Sequence, residues 1–215
     1  MKQLQIVDMF CGGGGESTGI MQAAKQYNFN VKLSAINHWE RAIETHTANY
    51  PFATHYQESI QNLDPTKVVP GGKLDLLWAS PECTHHSNAR GGRPRSDQSR
   101  ATAWEICKWA QELFIGRIII ENVPEFTGWG PLDENGKPIP EKKGKRQFSI
   151  VRIFSRISSR QRISLSFIYL TSASHFSVSS YLLFLGFHLL LQLSVIRYLE
   201  GLAAQGSTNI ISLPL

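Results

Sequence analysis

Short apolar runs recur through the first 122 residues, and segments with apolar positions at helical spacing separate most of them. Runs as apolar as LDLLWA and GRIIIEN are typical of strands that are buried on both faces, as in a parallel sheet. Four strands are predicted in this way, over residues 3–10, 31–37, 74–79 and 116–122.

Three helices are predicted between these strands, over residues 17–27, 38–49 and 104–114. The second ends before Pro51, because the residue that precedes a proline disfavours the helical conformation. Strands and helices that alternate in this order predict an α/β domain.

The pattern changes after the last predicted strand. Glycine, proline and lysine dominate residues 128–145, which predicts an exposed loop or linker. Among residues 149–215, 14 are Ser and 13 are Leu, and no alternation of strands and helices is found. The apolar stretch 181–196 has 16 residues, fewer than the roughly 20 that a membrane span needs, so no membrane association is expected.

Composition narrows the class of protein. The chain has 215 residues, 42% of them hydrophobic and 18% charged, which excludes collagen-like, coiled-coil and highly charged disordered proteins. Residues 149–215 contribute +4 of the net charge of +5, so the basic excess lies mostly outside the predicted domain. Four arginines do cluster in the loop after the third strand: Arg90, Arg93, Arg95 and Arg100. Three cysteines, without a signal peptide, predict free thiols in a reducing cytoplasm.

Four consecutive glycines follow the first strand, where a dinucleotide-binding loop would also lie. That loop needs glycines at relative positions one, three and six, but the sixth position is Ser17 counted from Gly12 and Thr18 counted from Gly13. No register fits. What remains is a loop without side chains beside Phe10, which lets a ligand approach the backbone closely. A flexible turn is the alternative, because glycine is also a common turn residue.

Two further strands end in residues with reactive side chains. Cys83 follows the strand-ending Ser80 and Pro81 and precedes a polar loop, which makes its thiol accessible, although an isolated cysteine is more often a small buried hydrophobe. Glu121 ends a strand with three isoleucines, where partial desolvation would raise the pKa of its carboxyl and let it share or donate a proton. A glutamate in this position can also cap a helix or pair with an arginine.

Three segments, DMFCGGGG, SPECTHHS and IIIENVPEF, each lie at the end of a predicted strand. In order and spacing they closely resemble the shared blocks of the cytosine-5 DNA methyltransferases: an aspartate-aromatic-glycine loop, a proline-cysteine loop and a Glu-Asn-Val strand end. The resemblance implies an incomplete, doubly wound, Rossmann-like α/β methyltransferase domain over residues 5–145. An atypical tail of uncertain fold would follow over residues 146–215.

The resemblance also implies a reaction, the methylation of cytosine in double-stranded DNA. Cys83 would attack C6 of a cytosine that has left the DNA stack, while Glu121 protonates N3. Carbon 5 would take the methyl group of S-adenosyl-L-methionine, and loss of the C5 proton would then release Cys83. Such a protein is expected to act in the cytoplasm as a monomer, without a metal ion, in restriction-modification or in regulation.

Cofactor and DNA contacts follow from the resemblance residue by residue. At two cofactor positions the family's acid is replaced, by Asn37 after the second strand and by Ser59 before Ile60. The basic loop after Cys83 suits phosphate contacts, with a solvated surface loop as the alternative. The implied positions are Phe10, Gly12, Gly14, Asn37, Ser59, Ile60 and Pro81 for the cofactor, and Ser87, Arg90 and Arg93 for DNA.

The C-terminal part departs most from the family. Members continue with a Gln-x-Arg-x-Arg strand, a target-recognition domain and a last block that completes the cofactor pocket, and none of these is recognised after residue 145. We therefore expect the family's sequence to be truncated or frameshifted after about residue 145. A catalytically inactive remnant is an alternative, because base flipping needs the recognition domain to hold the other side of the duplex.

A zinc-dependent deaminase is a remote alternative of another class. The pair His38 and Glu40, followed by Pro81, Cys83 and His86, echoes the H-x-E and P-C-x-x-C signature of those enzymes. The proline is displaced by one position, and a histidine replaces the second cysteine, so the zinc-ligand spacing fits poorly.

Overall fold

Six strands and four helices make up the part of the chain that a computed structural model describes. The described residues are 2–81, 102–122, 124–131, 133, 139–146, 149–150, 152–153, 156, 164–169 and 199. The strands are β1 (Gln3–Met9), β2 (Asn30–Asn37), β3 (Thr54–Gln57), β4 (Lys73–Ala79), β5 (Phe114–Asn122) and β6 (Ser164–Tyr169). The helices are α1 (Gly15–Gln26), α2 (Glu40–Asn49), α3 (Pro65–Val68) and α4 (Thr102–Glu112), with 3-10 turns at Ile60–Asn62, Pro124–Gly128 and Pro140–Lys142.

The strands form one sheet in the order β3-β2-β1-β4-β5-β6, and every neighbouring pair is parallel. This is the strand order of a doubly wound Rossmann fold, so the predicted fold class is confirmed. The order reverses between β1 and β4, and ligands of such sheets bind outside the carboxyl ends of the strands at this point.

Both faces of the sheet are buried, as the apolar strand sequences predict. On one face, Ile20 of α1 packs against Ile6, Trp78 and Ile119. On the other face, α4 covers a larger cluster; its members include Val7, Leu77, Ile106, Ala110, Ile118 and Ile120. Because side chains alternate along a strand, Asp8 and Glu121 continue the series that faces α1.

Two edge strands were not predicted. β3 has only four residues, THYQ, and too few apolar positions to indicate a buried strand. β6 lies within the Ser- and Leu-rich tail, where no alternation was found, and it pairs with β5 over six residues. Ile150 and Leu199 of the tail are also buried, on opposite faces of the sheet. Parts of the tail, whose fold the sequence left uncertain, therefore belong to the same sheet and core.

The described helices are short, and α1 has 12 residues. None of the helices in the described ranges is long and apolar enough to cross a membrane. The apolar stretch 181–196 lies outside the described residues.

Candidate active site

The carboxyl ends of the parallel strands meet at one edge of the sheet. Met9 of β1 pairs with Ile36 of β2 and Ala79 of β4, and Ala79 pairs with Ile120 of β5. The predicted site residues in the described part of the chain end these strands or lie within five residues after them, except for two residues that follow β3. These site residues are Phe10, Gly12, Gly14, Asn37, Ser59, Ile60, Pro81 and Glu121, and the fold brings them to one edge.

The loop after β1 turns sharply by adopting left-handed backbone conformations. Phe10 (φ 63°), Gly12 (φ 50°) and Gly14 (φ 98°) all have positive φ, which only glycine adopts readily. The Gly14 N–H donates to the carbonyl of Cys11 at 2.9 Å and closes the turn. Among the described residues, a Cβ on Gly12 would meet nothing nearer than the Phe10 carbonyl oxygen at 4.0 Å, so they leave this side of the loop open to a ligand.

Helix α2 packs directly on the other side of the same loop. A Cβ on Gly14 would lie 2.5 Å from Cε2 of Tyr50 and 3.2 Å from Cδ2 of His46, so only glycine fits. Asn49 Nδ2 donates to the carbonyl of Gly13 at 2.9 Å, and the Tyr50 hydroxyl donates to the carbonyl of Gly14 at 3.3 Å. The glycine run thus serves two purposes, an open face at Gly12 and a close helix contact at Gly14.

A buried chain of polar side chains runs beneath the loop. Ser17 Oγ donates to Asp8 Oδ2 at 2.6 Å and lies 3.1 Å from His46 Nε2, and His46 Nδ1 lies 2.8 Å from His55 Nε2. Asp8, Ser17 and His46 are fully buried, so Ser17 is no candidate nucleophile. Burial, together with the nearby Glu16, raises the pKa of Asp8 well above its usual range. Burial and the neighbouring His55 lower the pKa of His46 to about 4.

The ends of β4 and β5 are linked by their own side chains. Trp78 Nε1 donates to Ser80 Oγ at 3.0 Å, and the Ser80 hydroxyl in turn donates to the Glu121 carboxylate. Asn122 Nδ2 donates to the carbonyl of Pro81 at 3.0 Å. Pro81, two residues before Cys83, is therefore fixed against the end of β5.

Glu121 has the protonation behaviour of a proton donor at neutral pH. Burial, and to a smaller extent the negative charge of Glu16, raise the pKa of its carboxyl to about 7, although the hydrogen bond from Ser80 acts in the opposite direction. A carboxyl with a pKa near 7 is protonated in about half of the molecules at pH 7 and can both give and take a proton.

The end of β2 uses its polar side chain locally. The Asn37 amide oxygen accepts from the backbone N–H of Trp39 at 2.9 Å and shapes the turn into α2. Ser59 Oγ donates to the side chain of Gln61, and Ile60 is buried in the core. Trp39 itself is 62% exposed, an unusual state for a tryptophan.

Sequence analysis did not identify several of these supporting residues. Trp39 could have been identified as a site residue, since it stands two positions after the end of a predicted strand. Ser80 and Asn122 lie inside the motifs that indicated the site, but their partners come from another strand. His46 had none, because its contact with Ser17 spans 29 residues.

Some predictions fall outside the described residues. Cys83 and the DNA-contact residues Ser87, Arg90 and Arg93 are among them. Of the three cysteines, Cys11 and Cys107 are described, and both are free and buried. Burial raises the pKa of both thiols, that of Cys107 to about 12, so neither is a reactive thiolate at neutral pH.

The sequence profile of the C-5 cytosine-specific DNA methylases matches residues 4–129, from β1 through β5 and the 3-10 turn after it. The chain belongs to this family. The match supports the methyltransferase interpretation of the three motifs and gives no support to the zinc deaminase alternative.

Two Type II methyltransferases are similar to more than half of the chain. Type II methyltransferase M.AgeI of Thalassovita gelatinovora is 32% identical over 126 residues, which are 56% of this chain and 28% of that protein. Type II methyltransferase M1.BsuMI of Bacillus subtilis is 24% identical over 136 residues, 57% of this chain and 32% of that protein. The chain spans about a third of the length of these two relatives.

Solved structures support the fold. A DNA modification methyltransferase encoded within a prophage (E. coli) superposes with a TM-score of 0.52 at 23% identity, over 71% of this chain and 38% of that one. A UDP-N-acetylglucosamine 4-epimerase from Methanobrevibacter ruminantium gives 0.53 at 14% identity, over 79% and 55%. Because an epimerase matches as well as a methyltransferase, these superpositions show the Rossmann-like architecture alone.

Proposed function

We propose that this protein transfers a methyl group from S-adenosyl-L-methionine to C5 of cytosine in double-stranded DNA, with Cys83 as nucleophile and Glu121 as proton donor. The observation that carries the proposal is the geometry at the ends of β4 and β5. There a half-buried carboxyl with a pKa of about 7 accepts from Ser80, while Asn122 holds Pro81, two residues before Cys83. The chain belongs to the C-5 cytosine-specific DNA methylases, and methylation at C5 of cytosine needs a thiol and a proton donor close together.

Each side chain has one defined task in this reaction. The Cys83 sulfur forms a bond to C6 of the cytosine, and Glu121 gives its proton to N3, so that no negative charge accumulates on the ring. S-adenosyl-L-methionine would supply the methyl group from its sulfonium sulfur, which is left as the thioether of S-adenosylhomocysteine, to the C5 that this addition makes nucleophilic. After the C5 proton leaves to a base, the bond between Cys83 and C6 breaks and Glu121 regains the N3 proton.

The loop after β1 has the features that this cofactor requires. Its Gly12 side is open, it lies at the point where the strand order reverses, and Phe10 offers a half-buried aromatic ring beside it. Gly14 supports the loop from the α2 side. Asn37, Ser59, Ile60 and Pro81 complete the proposed cofactor contacts, and Trp39 adds an exposed aromatic face next to Asn37.

DNA contacts are proposed for the loop after Cys83. Ser87, Arg90 and Arg93 follow the nucleophile closely in a segment rich in glycine and arginine, and arginine side chains there would bind phosphates. We further propose that the protein acts as a monomer in the cytoplasm, without a metal ion.

Methyl transfer to DNA tests the proposal. The chain is incubated with S-adenosyl-L-methionine labelled in the methyl group and with duplex DNA of mixed sequence, and the DNA is digested to nucleosides. We expect label in 5-methylcytosine and none with Cys83→Ser, with Cys107→Ser as the matched control that leaves transfer intact. Label in another nucleoside, or transfer undiminished by Cys83→Ser, would refute the assignment. Cofactor binding without any transfer would favour the inactive remnant.

A further inference from the structure

Helix α2 lies against the cofactor loop through side chains that the proposed reaction does not use. His46 and Tyr50 are one helical turn apart and both contact the space beside Gly14. Their rings lie 4.9 Å apart, and the Tyr50 hydroxyl is also hydrogen-bonded to Thr18 in the first turn of α1. The first turn of α1 is therefore held by α2 as well as by its own backbone.

His46 connects the contact between α2 and the first turn of α1 to Asp8 at the buried end of β1. One proton lies in each of the three contacts from Asp8 through Ser17 and His46 to His55. Because Ser17 donates to Asp8, its contact with His46 needs a proton on Nε2, and a neutral His46 then accepts at Nδ1 from His55 Nε2–H. The two imidazoles cannot both be cations, because two N–H groups would then face each other across 2.8 Å.

We propose that His46 is a positioning residue for the cofactor: through Ser17 and Gly14 it holds the glycine loop and the first turn of α1 in the form that binds S-adenosyl-L-methionine. This rests on the proposed function, since it assumes that this loop binds the cofactor. His46 touches no part of the open Gly12 side, so its effect is indirect. The contact that matters for the loop is the one between Nε2 and Ser17, and the His55 contact orients the ring.

Amide substitutions separate the two contacts of the ring. Glutamine at position 46 places an N–H near the position of Nε2, whereas asparagine places one near that of Nδ1. We expect His46→Leu and His46→Asn to weaken cofactor binding about tenfold, which corresponds to one lost hydrogen bond to a buried partner. His46→Gln should stay within about threefold of the wild type for the same reason. Glu44→Gln, on an exposed position of α2, serves as control.

The pH profile adds a readout that a merely structural role would not give. The titratable groups near His46 and its polar partners are Asp8 of β1, Cys11 of the loop, Glu16 of α1, Tyr50 directly after α2 and His55 of β3, while Lys32 of β2 is exposed. As the pH falls below about 5, towards the lowered pKa of His46, the second imidazole takes up a proton and the contact between the rings is lost. Cofactor affinity should then fall in the wild type, and should not show this fall in His46→Gln.

Two measurements on the full chain test whether His46 positions the loop. One is calorimetric titration with S-adenosyl-L-methionine, and the other is hydrogen exchange of the Gly14 amide, which is hydrogen-bonded to the carbonyl of Cys11. Weaker binding and faster exchange in His46→Leu and His46→Asn, both restored in His46→Gln, support the proposal. Wild-type behaviour of His46→Leu, or a His46→Gln as weak as His46→Leu, overturns it.

Two further outcomes remain distinguishable. If the wild type binds no cofactor, the proposed function fails, and the exchange rates alone then judge the role of His46 in the loop. If His46→Leu does not fold, His46→Asn takes its place in the comparison with His46→Gln, because it also lacks the contact with Ser17. Wild-type binding and exchange in His46→Asn would then overturn the proposal.

Discussion

The proposed cofactor side and the proposed catalytic side of the sheet edge are held in shape by different means. At the end of β1 a loop without side chains is shaped from outside, by residues of α2 that lie 29 to 36 positions away in the sequence. At the ends of β4 and β5, Ser80 is hydrogen-bonded to Glu121, and Asn122 is hydrogen-bonded to Pro81. These two strand ends are therefore fixed by contacts with each other. It follows that damage to α2 should affect cofactor binding, whereas damage to β4 and β5 should affect the chemical step.

The largest effect is expected on the catalytic side. Glu121→Gln keeps the size of the side chain but removes its transferable proton, so kcat for methyl transfer should fall by about 10²–10³-fold, as for the loss of a general acid. Cofactor affinity should change by less than about twofold, because the β1 loop does not depend on this side chain for its shape. Glu112→Gln, at the exposed end of α4, is the matched control; equal kcat in both variants would contradict the assigned role.

Two glycines of one loop should respond differently to alanine. Gly14→Ala places a Cβ 2.5 Å from the Tyr50 ring in a left-handed backbone, so we expect a loss of about 2–4 kcal/mol in the free energy of unfolding. Gly12→Ala meets open space and should cost only about 1 kcal/mol, from backbone conformation alone. Urea unfolding measures both. Equal losses would show that α2 does not restrict the loop.

His46 and Glu121 should make folding stability depend on pH with opposite signs. The pKa of His46 is lowered in the folded chain to about 4, so its contribution is complete above about pH 6.5 and is lost as the pH falls towards 4. The pKa of Glu121 is raised to about 7, so its contribution is complete below about pH 4.5 and is lost as the pH rises towards 7. Each slope is at most about 1.4 kcal/mol per pH unit.

Single substitutions assign these slopes. In His46→Gln, the free energy of unfolding measured with urea should no longer fall between about pH 6.5 and 4. In Glu121→Gln, it should no longer fall as the pH rises from about 4.5 to 7. If either variant keeps the wild-type dependence, the corresponding group is not the one that titrates.

The smallest effect is expected at Ser80. Its hydroxyl lowers the pKa of Glu121, so Ser80→Ala should move the alkaline limb of the rate profile upwards by about half to one pH unit, the equivalent of about 1 kcal/mol. The rate as a function of pH between about 6 and 9 measures this shift. A limb that stays in place would mean that Ser80 does not act on Glu121.

The sequence was sufficient where burial or a strand end determines the structure. The four central strands are apolar on both faces, and residues at their carboxyl ends share an edge in any parallel sheet, which is why Phe10, Pro81 and Glu121 were predicted together. The edge strands were missed because β3 is short and polar and because β6 pairs on one side only within the described residues.

Contacts between distant side chains were beyond the reach of sequence patterns. The sequence of α2 predicts a helix, but the position of His46 against Ser17 depends on how α2 packs on β2 and β3. The raised pKa of Glu121 was predicted from desolvation, whereas the opposing contributions of Glu16 and Ser80 needed the three-dimensional arrangement.

The covalent bond between Cys83 and cytosine tests the central claim most directly. Duplex DNA of mixed sequence that contains 5-fluorocytosine is incubated with the chain and S-adenosyl-L-methionine, because fluorine at C5 cannot leave as a proton and the adduct therefore persists. Intact mass spectrometry after denaturation should find protein joined to DNA with one added methyl group, and no such species with Cys83→Ser. Absence of the adduct in the wild type, or its formation by Cys83→Ser, would contradict the account.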